Sequence, residues 1–195
     1  MRLCFASNNA HKLDEIRPLL PASVELVSLA AIGCEEELPE TQDTLEGNAR
    51  QKAQYVWDHY GVPCFADDTG LEVTALNGEP GVYSARYAGP QRSAADNVQK
   101  LLHELQGRSD RSARFRTVVA LVLPNGEVHD FAGAVEGTII NEIRGHEGFG
   151  YDPVFCPIES NGRTFAEMSL AEKNAVSHRS RAVGKLVHFL NQRLK

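Results

Sequence analysis

At 195 residues, with 42% hydrophobic content, the chain fits a single domain spanning 1–195 with a sizeable core and room for two lobes. A net charge of -6 argues against a continuous basic surface for long nucleic acid, so an anionic ligand should be small and held in a local cationic pocket. No apolar run approaches the roughly 18 residues of a membrane span. The N-terminal stretch also lacks a signal-peptide core. The cysteines, Cys4, Cys34, Cys64 and Cys156, show no C-x-x-C spacing, so a cytoplasmic protein with reduced thiols, no membrane and no nucleic-acid partner is expected.

In chain order, Arg2 to Ala6 reads as a strand, SNNAHK as a loop, Leu13 to Leu20 as a helix stopped by Pro21, and Val24 to Leu29 as a second strand. Asp43 with Glu46 forms a capping-box-like start. Behind it, Leu45, Ala49, Ala53, Val56 and Tyr60 make an apolar stripe that ends at Gly61. Val62 to Ala66 reads as a strand and Leu71 to Leu76 as a further extended segment leading to the turn cluster NGEPG. Ser93 caps a helix that Gly107 ends. A hairpin then pairs Phe115 to Leu123 with Val128 to Val135 across PNG, and an amphipathic helix runs from Ser177 to Leu194. The pattern is mixed α/β, with the unusual residues in the connecting loops.

Two helix starts carry cations where the macrodipole disfavours them. Lys12 follows SNNAH, and His178, Arg179 and Arg181 crowd the turn after Ser177. A cation there costs about 0.3 to 1 kcal/mol unless something negative answers it. Ser, Asn and unpaired amides at such a start suit an anion, although Asp14 and Glu15 could also neutralise Lys12 on an ordinary surface helix. There is no Walker glycine pattern.

GFGYDPVF flanks aromatic residues with glycines, a setting that lets a flat ring approach the backbone, and Asp152 could accept from a base or ribose; taken alone, these residues favour a tight turn with a packed aromatic. No strand leads into these glycines as a dinucleotide fingerprint requires. Asp67 and Asp68 are adjacent. On an extended chain they face opposite sides, so the expectation is that the strand ends or bulges between them, with Thr69-Gly70 as the bend. Hard carboxylate oxygens suit Mg²⁺, and Glu40 in ELPETQD is a second acidic loop candidate.

In this order, SNNAHK, ETQDTLEGNARQKA, ADDTGLEVTALNGEPGVYSARYAG, GFGYDPVF and EKNAVSHRSRA resemble the inosine triphosphate pyrophosphatase family, which hydrolyses noncanonical purine nucleoside triphosphates to the monophosphate and pyrophosphate. The resemblance implies an α/β fold: a mixed twisted sheet with flanking helices, in two lobes around a central nucleotide-binding cleft. It also implies a homodimer that depends on Mg²⁺. Carried over, the phosphate-binding residues fall on Ser7, Asn8, Asn9 and Lys12, with Lys52 a further contact. The metal-binding acids fall on Glu40 and Asp68; Asp68 also matches the proton acceptor, Asp67 its catalytic helper, and Thr69 a substrate contact. The nucleoside side falls on Phe149, Gly150, Tyr151, Asp152, Lys173, His178 and Arg179, with His178 and Arg179 donating to a 6-oxo group. One departure is Gly47-Asn48-Ala49, where many relatives read Glu-Asn-Ala. The alternatives are a related pyrophosphatase acting on modified pyrimidine or methylated guanine triphosphates, and a nucleotide-binding module without catalysis.

Overall fold

The structure, a computed structural model, describes residues 1–193. Its elements in chain order are β1 (Arg2–Phe5), α1 (Ala10–Ile16), β2 (Glu25–Val27), α2 (Leu45–Tyr60), β3 (Cys64–Val73) and β4 (Pro80–Gly81). They continue with α3 (Ala94–Glu104), β5 (Ser112–Val122), β6 (Val128–Ile139), β7 (Phe155–Pro157), α4 (Leu170–Val176) and α5 (His178–Arg193). The strands form a mixed sheet in the order β2-β1-β3-β5-β6-β7, with β4 paired to β3 and helices flanking it. Strand β1 is parallel to both neighbours, pairing Cys4 with Val27 and with Cys64. Expected and observed architecture agree in class.

Two compact units divide the chain. The first comprises Met1–Asp68, Thr117–Gly133 and the residues from Arg179 onward, and its core packs Leu3, Phe5 and Phe65 against Val183 and Leu186 of α5. The second comprises Thr69–Arg116 and Ala134–His178, around Leu71, Leu101, Phe115, Phe155 and Phe165. Long strands β3, β5 and β6 contribute residues to both. Among the described residues, no helix is long and apolar enough to cross a membrane.

Several boundaries differ from the sequence expectation for local reasons. Helix α1 begins three residues early because the Asn9 side chain caps it, and it gives way to a 3-10 turn at Arg17–Leu19 around Pro18, which has no N–H to give. The cap of α2 is Thr44 rather than Asp43; its Oγ1 accepts the Gly47 N–H at 3.0 Å. The two extended segments around Asp67 and Asp68 are one unbroken strand, β3, so there is neither an end nor a bend at Thr69-Gly70. Leu194, read as the last residue of the final apolar stripe, lies outside the described residues.

Gly137 on β6 faces the edge strand β7, and a Cβ there would lie 2.5 Å from the Cys156 carbonyl oxygen and 2.6 Å from Phe155 Cζ. That backbone oxygen cannot move aside without breaking the Thr138–Cys156 register. Gly137→Ala should therefore cost about 1 to 3 kcal/mol of stability, read as a lower urea midpoint at unchanged slope.

Candidate active site

Because β3 is continuous, side chains alternate and its two adjacent carboxylates go to different neighbours. Asp67 meets helices α1 and α5. Lys12 Nζ donates to its Oδ1 at 2.8 Å and Arg179 Nε to its Oδ2 at 3.1 Å, while Arg179 Nη1 donates to Glu15 of α1. Asp68 meets α2. Asn48 Nδ2 donates to its Oδ2 at 3.1 Å, and Lys52 Nζ lies 3.5 Å from its Oδ1. The same Lys52 Nζ donates to Glu40 Oε1 at 2.6 Å, so two carboxylates flank one ammonium.

Electrostatics separate the neighbours. Burial pushes the Asp67 carboxyl up, but Lys12, Arg179 and Lys52 more than reverse this and hold it well below the usual carboxylate range. Asp68 is raised, because burial outweighs Lys52 and Lys12. Burial lowers the Lys12 ammonium against the pull of Asp67, with Lys52 and Arg179 adding to the lowering. For Lys52 burial again works downward, yet Asp68 and Glu40 leave it raised. Accessibility follows the same division: the Asp67 side chain is 0% exposed, that of Asp68 12% and that of Glu40 26%.

The start of α1 differs from a bare row of donors. Asn9 Oδ1 accepts the Lys12 N–H and Ser7 Oγ accepts the Asn9 N–H, both at 3.2 Å, while Asn8 is exposed beside them. Lys12, the third residue of α1, is answered by Asp67 from β3.

In the second unit, Asp152 accepts the Phe149 N–H at 2.9 Å and takes the Lys173 ammonium at 2.5 Å, both charged groups being buried. Lys173 Nζ stands 5.0 Å from the half-buried Phe149 ring and 5.3 Å from Phe165. Gly148 has φ +72, and a Cβ there would collide with the Asp152 carboxylate, so glycine is required for this turn; Gly150 follows at φ +61. The His178 ring stacks on Phe115 at 4.6 Å and 14°. Thr69 is half-buried at the next position of β3.

Two residues expected at the base make other contacts in this structure. Tyr151 is 4% exposed within the second core and its hydroxyl donates to the Ser84 carbonyl at 2.8 Å. Arg179, expected beside the base, spends Nε and Nη1 on Asp67 and Glu15. Glu15, a candidate counter-charge for Lys12 in the sequence, pairs with Arg179 instead, and Asn48 joins the site without a sequence expectation. A polar Asn48 and Lys52 on the buried stripe of α2 were the available signal.

A family model described as the Ham1 family matches residues 3–189. The chain belongs to the Ham1 family. It is 56% identical over 190 residues to a Porphyromonas gingivalis protein named dITP/XTP pyrophosphatase, covering 97% of each chain. It is 52% identical to a Flavobacterium psychrophilum protein of the same name, covering 97% of this chain and 98% of that one. Among solved structures, the Staphylococcus aureus Ham1 protein has 37% identity and a TM-score of 0.89, covering 99% of this chain and all of the other. A Ham1 protein from Coxiella burnetii has 39% identity and the same TM-score, covering 98% and 99%.

The depressed Asp67 gives this Ham1 chain a testable acid response. A carboxyl held below its unfolded value contributes stability that is present above about pH 4 and is lost as pH falls toward the folded value. Asp67→Asn should cost about 3 kcal/mol at pH 7. The gap to the parent should close progressively below about pH 4 in urea unfolding; a gap that does not change with pH would contradict the ion-pair assignment.

Proposed function

We propose that this chain hydrolyses noncanonical purine nucleoside triphosphates, dITP and XTP with ITP, to the monophosphate and pyrophosphate. The observation that carries the reading is the flanking of Lys52 by Glu40 and Asp68 in the electrostatic reach of Lys12. Membership of the Ham1 family and the names of its relatives supply the substrate class.

Lys12 and Lys52 bind the phosphates, with Ser7, Asn8 and Asn9 shaping the turn that presents Lys12. Glu40 and Asp68 would hold Mg²⁺: they offer hard carboxylate oxygens, keep 26% and 12% side-chain exposure against 0% for Asp67, and already converge on one cation, whereas Asp67 is held by Lys12 and Arg179. When bound, the ion supplies charge neutralisation at the phosphate oxygens. Asp68, raised by burial, accepts a proton from the attacking water; the water oxygen bonds to the α-phosphorus as the bond to the bridging oxygen breaks, and pyrophosphate leaves. Asp67 holds Lys12 and Arg179 in place.

Base choice falls to Phe149, Gly150, Lys173 and His178. Phe149 and Gly150 give a flat surface, and Lys173, oriented by Asp152, donates with His178 to a 6-oxo group. Adenine presents an amino donor there, leaving donor against donor. Arg179 acts through Asp67 instead of at the base. Thr69 remains a substrate contact in this reading. A homodimer in the cytoplasm belongs to it as well, checked by light scattering of the purified chain.

Pyrophosphate release with Mg²⁺ across dITP, XTP, ITP, GTP, ATP and dTTP tests the function: the first three should dominate, and equal rates on all would remove the specificity claim. Asp68→Asn should lower kcat by about 100-fold or more; turnover within a fewfold of the parent would reassign the base. Lys173→Met should lose much of the dITP-over-dATP preference, by about 10-fold or more in kcat/KM ratio, with rates on dATP little changed.

A further inference from the structure

One face of α2 grips the segment that carries Glu40. Asn48 is 1% exposed and uses both ends of its amide: Oδ1 accepts the Gln42 N–H at 2.9 Å, and Nδ2 donates to Asp68 Oδ2 at 3.1 Å. A backbone N–H only donates and an ionised carboxylate only accepts, so one amide orientation satisfies both. One turn further on, Gln51 Oε1 accepts the Thr41 N–H at 2.9 Å while Nε2 donates to Thr41 Oγ1 at 2.8 Å. Lys52 takes Glu40 itself. Space for this grip comes from Gly47, where a Cβ would lie 2.7 Å from Gln42 Cβ and 3.0 Å from Thr44 Oγ1. Successive residues Glu40, Thr41 and Gln42 are therefore each held by a different side chain of α2. Asn48 also holds the strand carboxylate.

We propose that Asn48 is a positioning residue: through one amide it fixes the Glu40 segment and Asp68 relative to each other, with Gln51 as the second anchor of the segment. This rests on the reading of Glu40 and Asp68 as the acids of the reaction. Asn48 takes no proton and meets no phosphate in that scheme; bonded to Asp68 Oδ2, it sets where the two carboxylates stand. An amide suits the task because it joins a donor and an acceptor without adding charge to a pair of acids.

The test uses the full chain and three measurements. Asn48→Ala should lower kcat on dITP by about 10- to 100-fold with KM moving far less, and should weaken Mn²⁺ binding, read by electron paramagnetic resonance, by a comparable factor. It should also speed hydrogen exchange at the Gln42 amide, read by NMR. In a Glu40→Gln background the Asn48→Ala step should cost little more, since both changes disable the same pair. A folded Asn48→Ala protein with unchanged kcat and Mn²⁺ affinity overturns the proposal, as do losses that multiply fully with Glu40→Gln. If Asn48→Ala does not fold, the half-buried Gln51→Ala decides: faster Gln42 exchange with a lower kcat supports the proposal, and no change in either refutes it. Should the parent chain release no pyrophosphate from dITP or XTP, the functional reading falls. Mn²⁺ affinity and Gln42 exchange then still judge the role of Asn48.

Discussion

Strand alternation is the constraint on which the first unit depends. Two carboxylates adjacent on an unbroken β3 must face opposite sides, and each loses water on its own side. An ionised carboxylate without partners in such a place is costly by several kcal/mol, so each side needs its own compensation. One side recruits Lys12 from α1 and Arg179 from α5; the other recruits Asn48 and Lys52 from α2. Helices that pack on the strand are thus also selected for the charges they bring.

The same requirement explains the cations at helix starts. Lys12 and Arg179 sit where the macrodipole opposes them, a penalty of a few tenths to one kcal/mol apiece. Asp67 answers both at once, and Glu15 takes the remaining demand of Arg179. Removing either cation would leave a buried carboxylate short of a partner, which costs more than the unfavourable dipole placement. A charge arrangement that is poor within each helix is favourable across three elements.

Local pattern made much of the fold legible. The stripe of α2, the Ser93 cap of α3 and the PNG hairpin follow from periodicity and turn chemistry, which need only neighbours in sequence. Strand β3 was misread as two pieces because Asp is a poor strand former by itself, and its compensation comes from far along the chain. Lys12 lies 55 positions from Asp67, Arg179 lies 112 from Asp67 and 164 from Glu15. No window along the sequence spans such pairs. Glu40, Lys52 and Asp68 stand in ordered motifs, whereas the partner of Glu15, Arg179 rather than Lys12, and the role of Asn48 follow only from the folded chain. Tyr151 fits the packed-aromatic reading of its glycine-rich turn, buried with its hydroxyl on the Ser84 carbonyl.

Charge balance then links the architecture to the proposed reaction. Four acids, Glu15, Glu40, Asp67 and Asp68, stand against three bases, Lys12, Lys52 and Arg179, in the paired network of the first unit. Arg179 and Lys12 pair with Glu15 and Asp67, while Glu40 and Asp68 share Lys52. In the proposed reaction, a triphosphate drawing on Lys12 and Lys52 would compete with these acids, because those ammoniums cannot fully serve phosphate and carboxylate together. On the proposed function, a divalent cation arriving with the nucleotide restores the balance where it is short. The two neighbouring aspartates shift in opposite directions: Lys12, Arg179 and Lys52 hold Asp67 down against burial, and burial raises Asp68, which on the proposed function is the group that takes the proton.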